Sequence, residues 1–369
     1  MRRILFWMHL GAGVLAGILI LFFSITGASL AYERPILHAI DKGYYRTIPV
    51  PEDAARMPLA MLIASAEETA HAPIEVITIH SEAAAPVELQ AANRAVYFAD
   101  PYSGSIQGPI SPHARAFFAE VTTLHRWFGL SNASHAAATA VKGAATLLFV
   151  FLILSGAVLW MPGHWNRSSV RIGMVPRLKT HGRARNYNLH KVTGFWLFLP
   201  LGVIALTGVI MAYPWANALL FRIAGSPVPT RNAPREGSRR HDHGSVAPNH
   251  LDDAFARAVS GVNGWQSASF RVAPNPQGLN ITVDRGDGGQ PEKREQVLID
   301  ASTLQVIRRV PFADMSRGQR WRAWVRFVHT GEAGGWWGDT IALATALGAS
   351  LLSVTGFLLF LHRLRRLRG

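Results

Sequence analysis

His9 and His190 each begin the same pattern. A glycine follows four residues later (Gly13, Gly194), a threonine seventeen later (Thr26, Thr207) and a second glycine eighteen later (Gly27, Gly208). On an α-helix a +4 neighbour shares the face of its start, and eighteen residues make about five whole turns. Each stretch therefore presents an imidazole near one end and small residues on the same side, the surface a helix needs to lie against a bulky planar group. One copy alone reads as packing glycines beside an interfacial histidine; the repetition makes it a site pattern. A second matching pair is His125, in Leu124-His125-Arg126-Trp127, and His329, in Val328-His329-Thr330-Gly331. Imidazole is a good ligand for iron, copper and zinc. The chain has no cysteine, which excludes thiolate metal sites, Fe–S clusters and disulfides.

The elements that must hold these histidines are apolar. Of the 369 residues 49% are hydrophobic and only 16% charged, and four runs reach the roughly 20 residues a bilayer requires, near Ile4–Tyr32, Ala136–Met161, Val192–Tyr213 and Trp337–Leu361. The first could be taken for a signal peptide ending at Ser29-Leu-Ala31. Its length, and the recurrence of its pattern in the third run, read as a retained helix. The net charge of +14 is topological. Arg2 and Arg3, then Arg167, Arg171, Arg177, Lys179, Arg183, Arg185 and Lys191, then Arg363, Arg365, Arg366 and Arg368 flank the runs in stretches without Asp or Glu. The positive-inside rule puts those stretches, and both termini, in the cytoplasm. A nucleic-acid patch is not expected; the partner of this surface is membrane lipid.

The expected organisation is a transmembrane helix over 1–32, an outward module over 33–116, an interfacial helix and second span over 117–161, a basic cytoplasmic loop over 162–189, and a third span over 190–213. A linker and second module follow over 214–320, then an interfacial helix, fourth span and basic tail over 321–369. In the first module 51–68 reads as a helix and 74–80, 87–91 and 95–98 as strands, with a turn at Asp100–Gly104. The second repeats that order: a helix over 251–259, strands over 267–272, 279–283, 296–299 and 305–310, and Asp300–Leu304 at the turn, without the glycine. The fold class is thus a mainly α membrane protein, a four-helix bundle built from a duplicated span–module–span unit with two small α+β modules. Arg239–His243 lies in a Pro-, Arg- and His-rich linker and reads as a solvated connection rather than a metal site.

Two halves of one orientation imply a pseudo-two-fold axis along the membrane normal, as in parallel repeats. His9 and His190 then face each other at the inner side and His125 and His329 at the outer side, each pair approaching a plane from both faces. That is the requirement for axial ligation of a haem iron. Zinc or copper would need three or four protein ligands close together. Without a Cys-x-x-Cys-His the haems are of the b type, so two bis-histidine b haems are expected. Gly13, Gly194, Gly27 and Gly208 would let each ring approach the backbone, and Arg3, Arg126, Arg322, Arg326 and Lys191 would meet propionates. His164, His135 and His362 also lie at helix ends and compete as ligands. Trp127, Trp321, Trp324, Trp336 and Trp337 would line the outer haem edge or form an interfacial aromatic belt.

Leu124-His125-Arg126, Asn188-Leu189-His190 with Leu206-Thr207-Gly208, and Val328-His329-Thr330-Gly331-Glu332 resemble the PepSY-associated transmembrane family over nearly the whole chain. The likeness is greatest to its inner-membrane ferrisiderophore reductases. It implies PepSY-like periplasmic modules, a bacterial inner-membrane location and a ferric siderophore as acceptor, reduced to release Fe(II). No nucleotide or flavin fingerprint identifies the donor, which leaves quinol or a cytoplasmic reductase. Electron transfer needs no general base, so no catalytic acid or base is assigned. The alternatives are a non-enzymatic PepSY protein that inhibits a peptidase or scaffolds a transporter, and a di-haem relay to another protein.

Overall fold

The structure, a computed structural model, describes residues 1–43, 48–50, 55–130, 132–164, 166–177, 179–229, 248–272 and 278–368. In chain order the helices are α1 (Arg2–Leu30), α2 (Glu33–Asp41), α3 (Leu59–Ala70), α4 (Pro112–Trp127), α5 (His135–Trp160), α6 (Arg167–Met174), α7 (Gly182–Ala212), α8 (Pro214–Ile223), α9 (Leu251–Val259), α10 (Arg317–Thr330) and α11 (Gly335–Arg368). The strands are β1 (Ile74–His80), β2 (Val87–Ala91), β3 (Val96–Ala99), β4 (Ile106–Gln107), β5 (Ser267–Arg271), β6 (Leu279–Asp284), β7 (Arg294–Ile299) and β8 (Val306–Pro311). They divide into a helical unit (1–33, 118–223, 321–369) and a sheet unit (34–117, 224–320).

In the helical unit α1, α5, α7 and α11 form a ring in that order, each packed on its two neighbours. Helical runs over Arg2–Asp41, His135–Trp160, Gly182–Ala212 and Glu332–Arg365 are long enough to cross a membrane and contain 18-residue stretches of mean hydropathy 2.3, 2.2, 2.2 and 1.9. Their outward faces suit lipid: Leu15, Ile18 and Leu199 are 76%, 71% and 73% exposed, which water would penalise at every turn. Inward positions are small, with Ala12, Ala16, Ala138, Ala145, Ala205, Ala342 and Ala349 buried. Close backbone approach through small residues is how helices associate where no hydrophobic gain is available. Pro200 lies inside α7, an interruption that membrane helices tolerate.

The basic stretch expected as a loop over 162–189 is substantially helical. α6 starts on Asn166, whose side chain accepts from the Ser169 amide at 2.7 Å. α7 begins at Gly182, two turns before the apolar run. Buried Asn188 holds that extension: its Oδ1 accepts from Arg177 N at 2.6 Å and its Nδ2 donates to Val175 O at 3.4 Å. At the start of the first module, α2 occupies 33–41, where no element was expected.

The two modules build one continuous antiparallel sheet, ordered β4-β3-β2-β1-β5-β6-β7-β8. Its centre pairs equivalent strands, with Ile77 opposite Phe270 and Thr78 opposite Ser269. Antiparallel pairing of like with like is the register a two-fold axis demands. Burial alternates along β2, and along β1 from Ile77 onward after a register shift between Ile74 and Val76, as period-2 strands require. α3 and α9 supply Leu62, Ile63, Ala66, Leu251, Ala254 and Ala258 to the shared core with Ile77, Leu89, Phe270, Ile281 and Val297. The expected 51–68 helix starts at Leu59, after Pro58, because the residue before a proline is pushed out of the helical region; 51–54 lie outside the described residues. The two turns are the same structure. Asp100 Oδ1 accepts from Tyr102 N and Ser103 N at 2.8 and 3.2 Å, and Asp300 Oδ1 from Ser302 N and Thr303 N, both at 2.9 Å. Leu304 takes the left-handed conformation (φ 57°) that Gly104 takes in the first copy (φ 73°). The Arg239–His243 linker lies outside the described residues.

Candidate functional site

Four histidines in the helical unit share one environment. His9 Nδ1 lies 2.8 Å from Ser155 Oγ, His190 Nδ1 3.0 Å from Thr355 Oγ1, His125 Nδ1 2.9 Å from Thr26 Oγ1, and His329 Nδ1 3.0 Å from Thr207 Oγ1. Each hydroxyl spends its one proton on the carbonyl four residues back in its own helix: Ser155 on Phe151 (2.6 Å), Thr355 on Leu351 (2.7 Å), Thr26 on Phe22 (2.9 Å) and Thr207 on Val203 (2.8 Å). The hydroxyl must then accept from the imidazole, and we assign the proton of each ring to Nδ1 from this network. His329 Nδ1 is also 3.1 Å from the Ile204 carbonyl, which can only accept. Nε2 of every ring is left with its lone pair, the state in which histidine binds a metal, with the Nδ1–H contact fixing tautomer and orientation.

A glycine follows each hydroxyl and makes room for the ring. A Cβ would stand 3.4 Å from His125 Cε1 at Gly27, 3.6 Å from His329 Cε1 at Gly208, 3.4 Å from His9 Cε1 at Gly156 and 3.4 Å from His190 Cε1 at Gly356. The small residues expected against a planar cofactor also have protein neighbours. Gly27 and Gly208 seat imidazoles, and Gly13 and Gly194 face Leu152 and Leu352 at 3.8 and 3.7 Å.

The hydroxyl contacts put His9 and His190 at one end of the bundle, beside the basic stretches, and His125 and His329 at the other. Along α1 the two levels, His9 and Thr26, are about 25 Å apart. The His9 and His190 rings stand 6.5 Å apart, centroid to centroid, with planes at 89°. Two imidazoles sharing a metal at ~2 Å each would have centroids roughly 6 Å apart. At the far level, burial pushes the His125 and His329 imidazoles down to about 4, and the Lys142 charge acts on both in the same direction. They are neutral at physiological pH, as ligation requires. Among the described residues no group of three or more His, Asp or Glu side chains could hold a metal. Two nitrogens per level suit a metal that brings its remaining ligands with it, as the iron of a haem does.

The PepSY-associated TM region, as a family model, matches residues 6–363 of the chain. The chain belongs to the PepSY-associated transmembrane family. With the four apolar helices, that makes it a membrane protein. No curated protein matches it.

The other described histidines of this PepSY-associated chain lack the hydroxyl–glycine seat. His135 stacks on Trp127 at 4.3 Å and its Nε2 is 3.2 Å from Leu130 O. His362 Nδ1 is 2.8 Å from Leu358 O in its own helix, and His164 is exposed. Several of the expected propionate cations have protein partners: Arg126 lies over Trp127 (4.2 Å), Lys191 over Trp160 (5.8 Å), and Arg326 pairs with Glu332 (3.1 Å). Trp336 and Trp337 are 59% and 70% exposed, which suits an aromatic belt. The His-Thr-Gly-Glu string owes its glycine to a close approach: Gly331 has φ 90°, and a Cβ there would stand 2.6 Å from Gly338 O. Two features escaped the sequence reading. The hydroxyls Ser155 and Thr355 were visible as a repeat, and the fourfold Ser/Thr-Gly dipeptide was the signal that could have tied them to the histidines. Lys142 carried no signal in a run read only as apolar.

Proposed function

We propose that this protein is a di-haem b-type oxidoreductase of the bacterial inner membrane that carries electrons outward to a periplasmic ferric siderophore, releasing Fe(II). The observation that carries this reading is the fourfold seat: each Nδ1–H committed to a hydroxyl, each Nε2 free, two rings at each end of the bundle. His9 and His190 would hold one haem and His125 and His329 the other. A haem so bound supplies a one-electron Fe(III)/Fe(II) couple. The apolar bundle excludes water from both levels, and the hydroxyls keep the imidazoles neutral and oriented. The thirteen basic residues without acids support a cytoplasmic His9/His190 level, where quinol or a cytoplasmic reductase would donate. Because His125 and His329 would both be committed to holding the haem, an acceptor would need only to approach the outer edge of that site. We assign acceptor selectivity to the sheet unit. A siderophore's hard oxygen ligands prefer Fe(III), so one-electron reduction weakens the complex.

The test is direct. Purified protein should show a Soret band and two low-spin haems per chain, with His125→Ala losing one and His9→Ala the other. Full haem content in both variants rules the assignment out. Chemically reduced protein should be reoxidised by a ferric siderophore, with Fe(II) trapped by a ferrous chelator, and His329→Ala should stop this while the inner haem still reduces. If several ferric chelates leave the haems reduced and a protein acceptor oxidises them, the chain is a relay.

A further inference from the structure

Beside the outer histidines the matching spans of the two halves differ in charge at Lys142. Superposing Ser155-Gly156 on Thr355-Gly356 sets Lys142 of α5 opposite Ala342 of α11. Ala342 is buried and neutral. Lys142 Nζ donates to the Arg126 carbonyl at 3.2 Å, one residue from His125. Thr146, one turn further along, donates to the Lys142 carbonyl at 2.8 Å, and its Cγ2 lies 3.4 Å from where a Gly208 Cβ would be, next to the His329 ring. The same face of α5 therefore reaches both outer ligands. Among the described residues no carboxylate pairs with Lys142. A lysine within a membrane-spanning run is costly and calls for a role. At the inner level Arg2 donates to the Leu159 and Met161 carbonyls at the end of α5, and Lys191 lies over Trp160.

We propose that Lys142 is a positioning cation that raises the reduction potential of the outer centre above that of the inner one, so that an electron entering at His9/His190 comes to rest at His125/His329. This rests on the di-haem reading. The physical cause is Coulombic: ferrous haem carries one positive charge fewer than ferric haem, so a fixed neighbouring cation favours the reduced form, and does so more strongly in a low-dielectric site.

Spectroelectrochemical titration of the full-length protein reads both potentials, the outer haem being the one lost in His125→Ala. Lys142→Gln should shift the inner-to-outer electron distribution by tenfold or more toward the inner haem, which is 59 mV or more for one electron. Lys142→Arg should restore the wild-type distribution. An unchanged gap in Lys142→Gln with both haems bound overturns the proposal, and so does an equal fall of both potentials. Should Lys142→Gln lose the outer haem, Lys142→Met is titrated in its place; loss of that haem in both, with retention in Lys142→Arg, would make the lysine a cofactor anchor and overturn the tuning role. Wild-type protein without haem refutes the underlying reading instead.

Discussion

Ser155→Ala removes one hydroxyl and leaves the His9 ring in place. His9 Nδ1–H then has no acceptor among the described residues, since its contact is the 2.8 Å approach to Ser155 Oγ. A buried donor left unpaired costs about 1–3 kcal/mol, and loss of a partner behind a metal-bound histidine typically costs about 10- to 100-fold in affinity. The two ranges agree, because about 1.4 kcal/mol is a factor of ten. Thr207→Ala is the milder case: His329 Nδ1 keeps the Ile204 carbonyl at 3.1 Å. We expect Ser155→Ala to weaken inner haem binding by about 100-fold and Thr207→Ala to weaken outer binding by about 10-fold. Ser155→Thr, which installs the hydroxyl that the second half uses at Thr355, should be near wild type. Transfer of haem to an apo-globin acceptor, followed by absorbance, ranks the affinities. Ser155→Ala within twofold of wild type, or a larger loss in Thr207→Ala, would refute the tautomer argument, as would an equal loss at both levels.

Gly331→Ala should destabilise the protein by about 2 kcal/mol or more, because its Cβ meets the Gly338 carbonyl oxygen at 2.6 Å in a left-handed residue; a lower melting temperature with loss of the outer haem would report it. The hydrogen bonds from Ser302 and Thr303 hold the Asp300 carboxyl well below its ordinary value. Its stabilisation is therefore complete above about pH 4, the unfolded value, and falls away as pH drops toward the folded value. Asp300→Asn should lower the melting temperature at pH 7 and narrow the gap to wild type as the pH is taken below 4. Reporters inserted after Gly108 and Gly288 should read extracytoplasmic and one after Gly182 cytoplasmic; the opposite labels would reverse the direction of electron flow. Carbon monoxide should leave the spectrum of the reduced protein unchanged, since both axial positions of each haem would be filled.

Much of this was legible because it is periodic. The +4, +17 and +18 spacings after His9 and His190 are properties of single helices, and the strands show themselves by alternation. What the sequence hides is contact between distant elements. Ser155 and Thr355 touch histidines on other helices, so their role appears only once α5 packs on α1 and α11 on α7. The β1–β5 pairing joins residues nearly two hundred positions apart, and each central strand alone reads like any other. β4 has two residues, too few to alternate. The two polar turns that open α7 resemble loop, and their helix depends on Asn188 reaching back to Arg177.

The two halves match in the sheet turns and in the histidine seats, and the positions where they differ are few enough to compare. In the sheet the first turn uses Gly104 and the second Leu304, yet both keep the aspartate that ties the turn together, so the substitution changes strain and leaves the shape. In the bundle Ser155 and Thr355 differ by a methyl group and hold their histidines at 2.8 and 3.0 Å, so the histidine seat is alike in both halves. Lys142 and Ala342 differ by a full charge at the outer level. The pseudo-two-fold axis exchanges the members of each pair and leaves the inner and outer levels distinct, and a charge beside one level acts most strongly on that level. Under the proposed tuning, the single lysine beside His125 and His329 would set the outer level above the inner one.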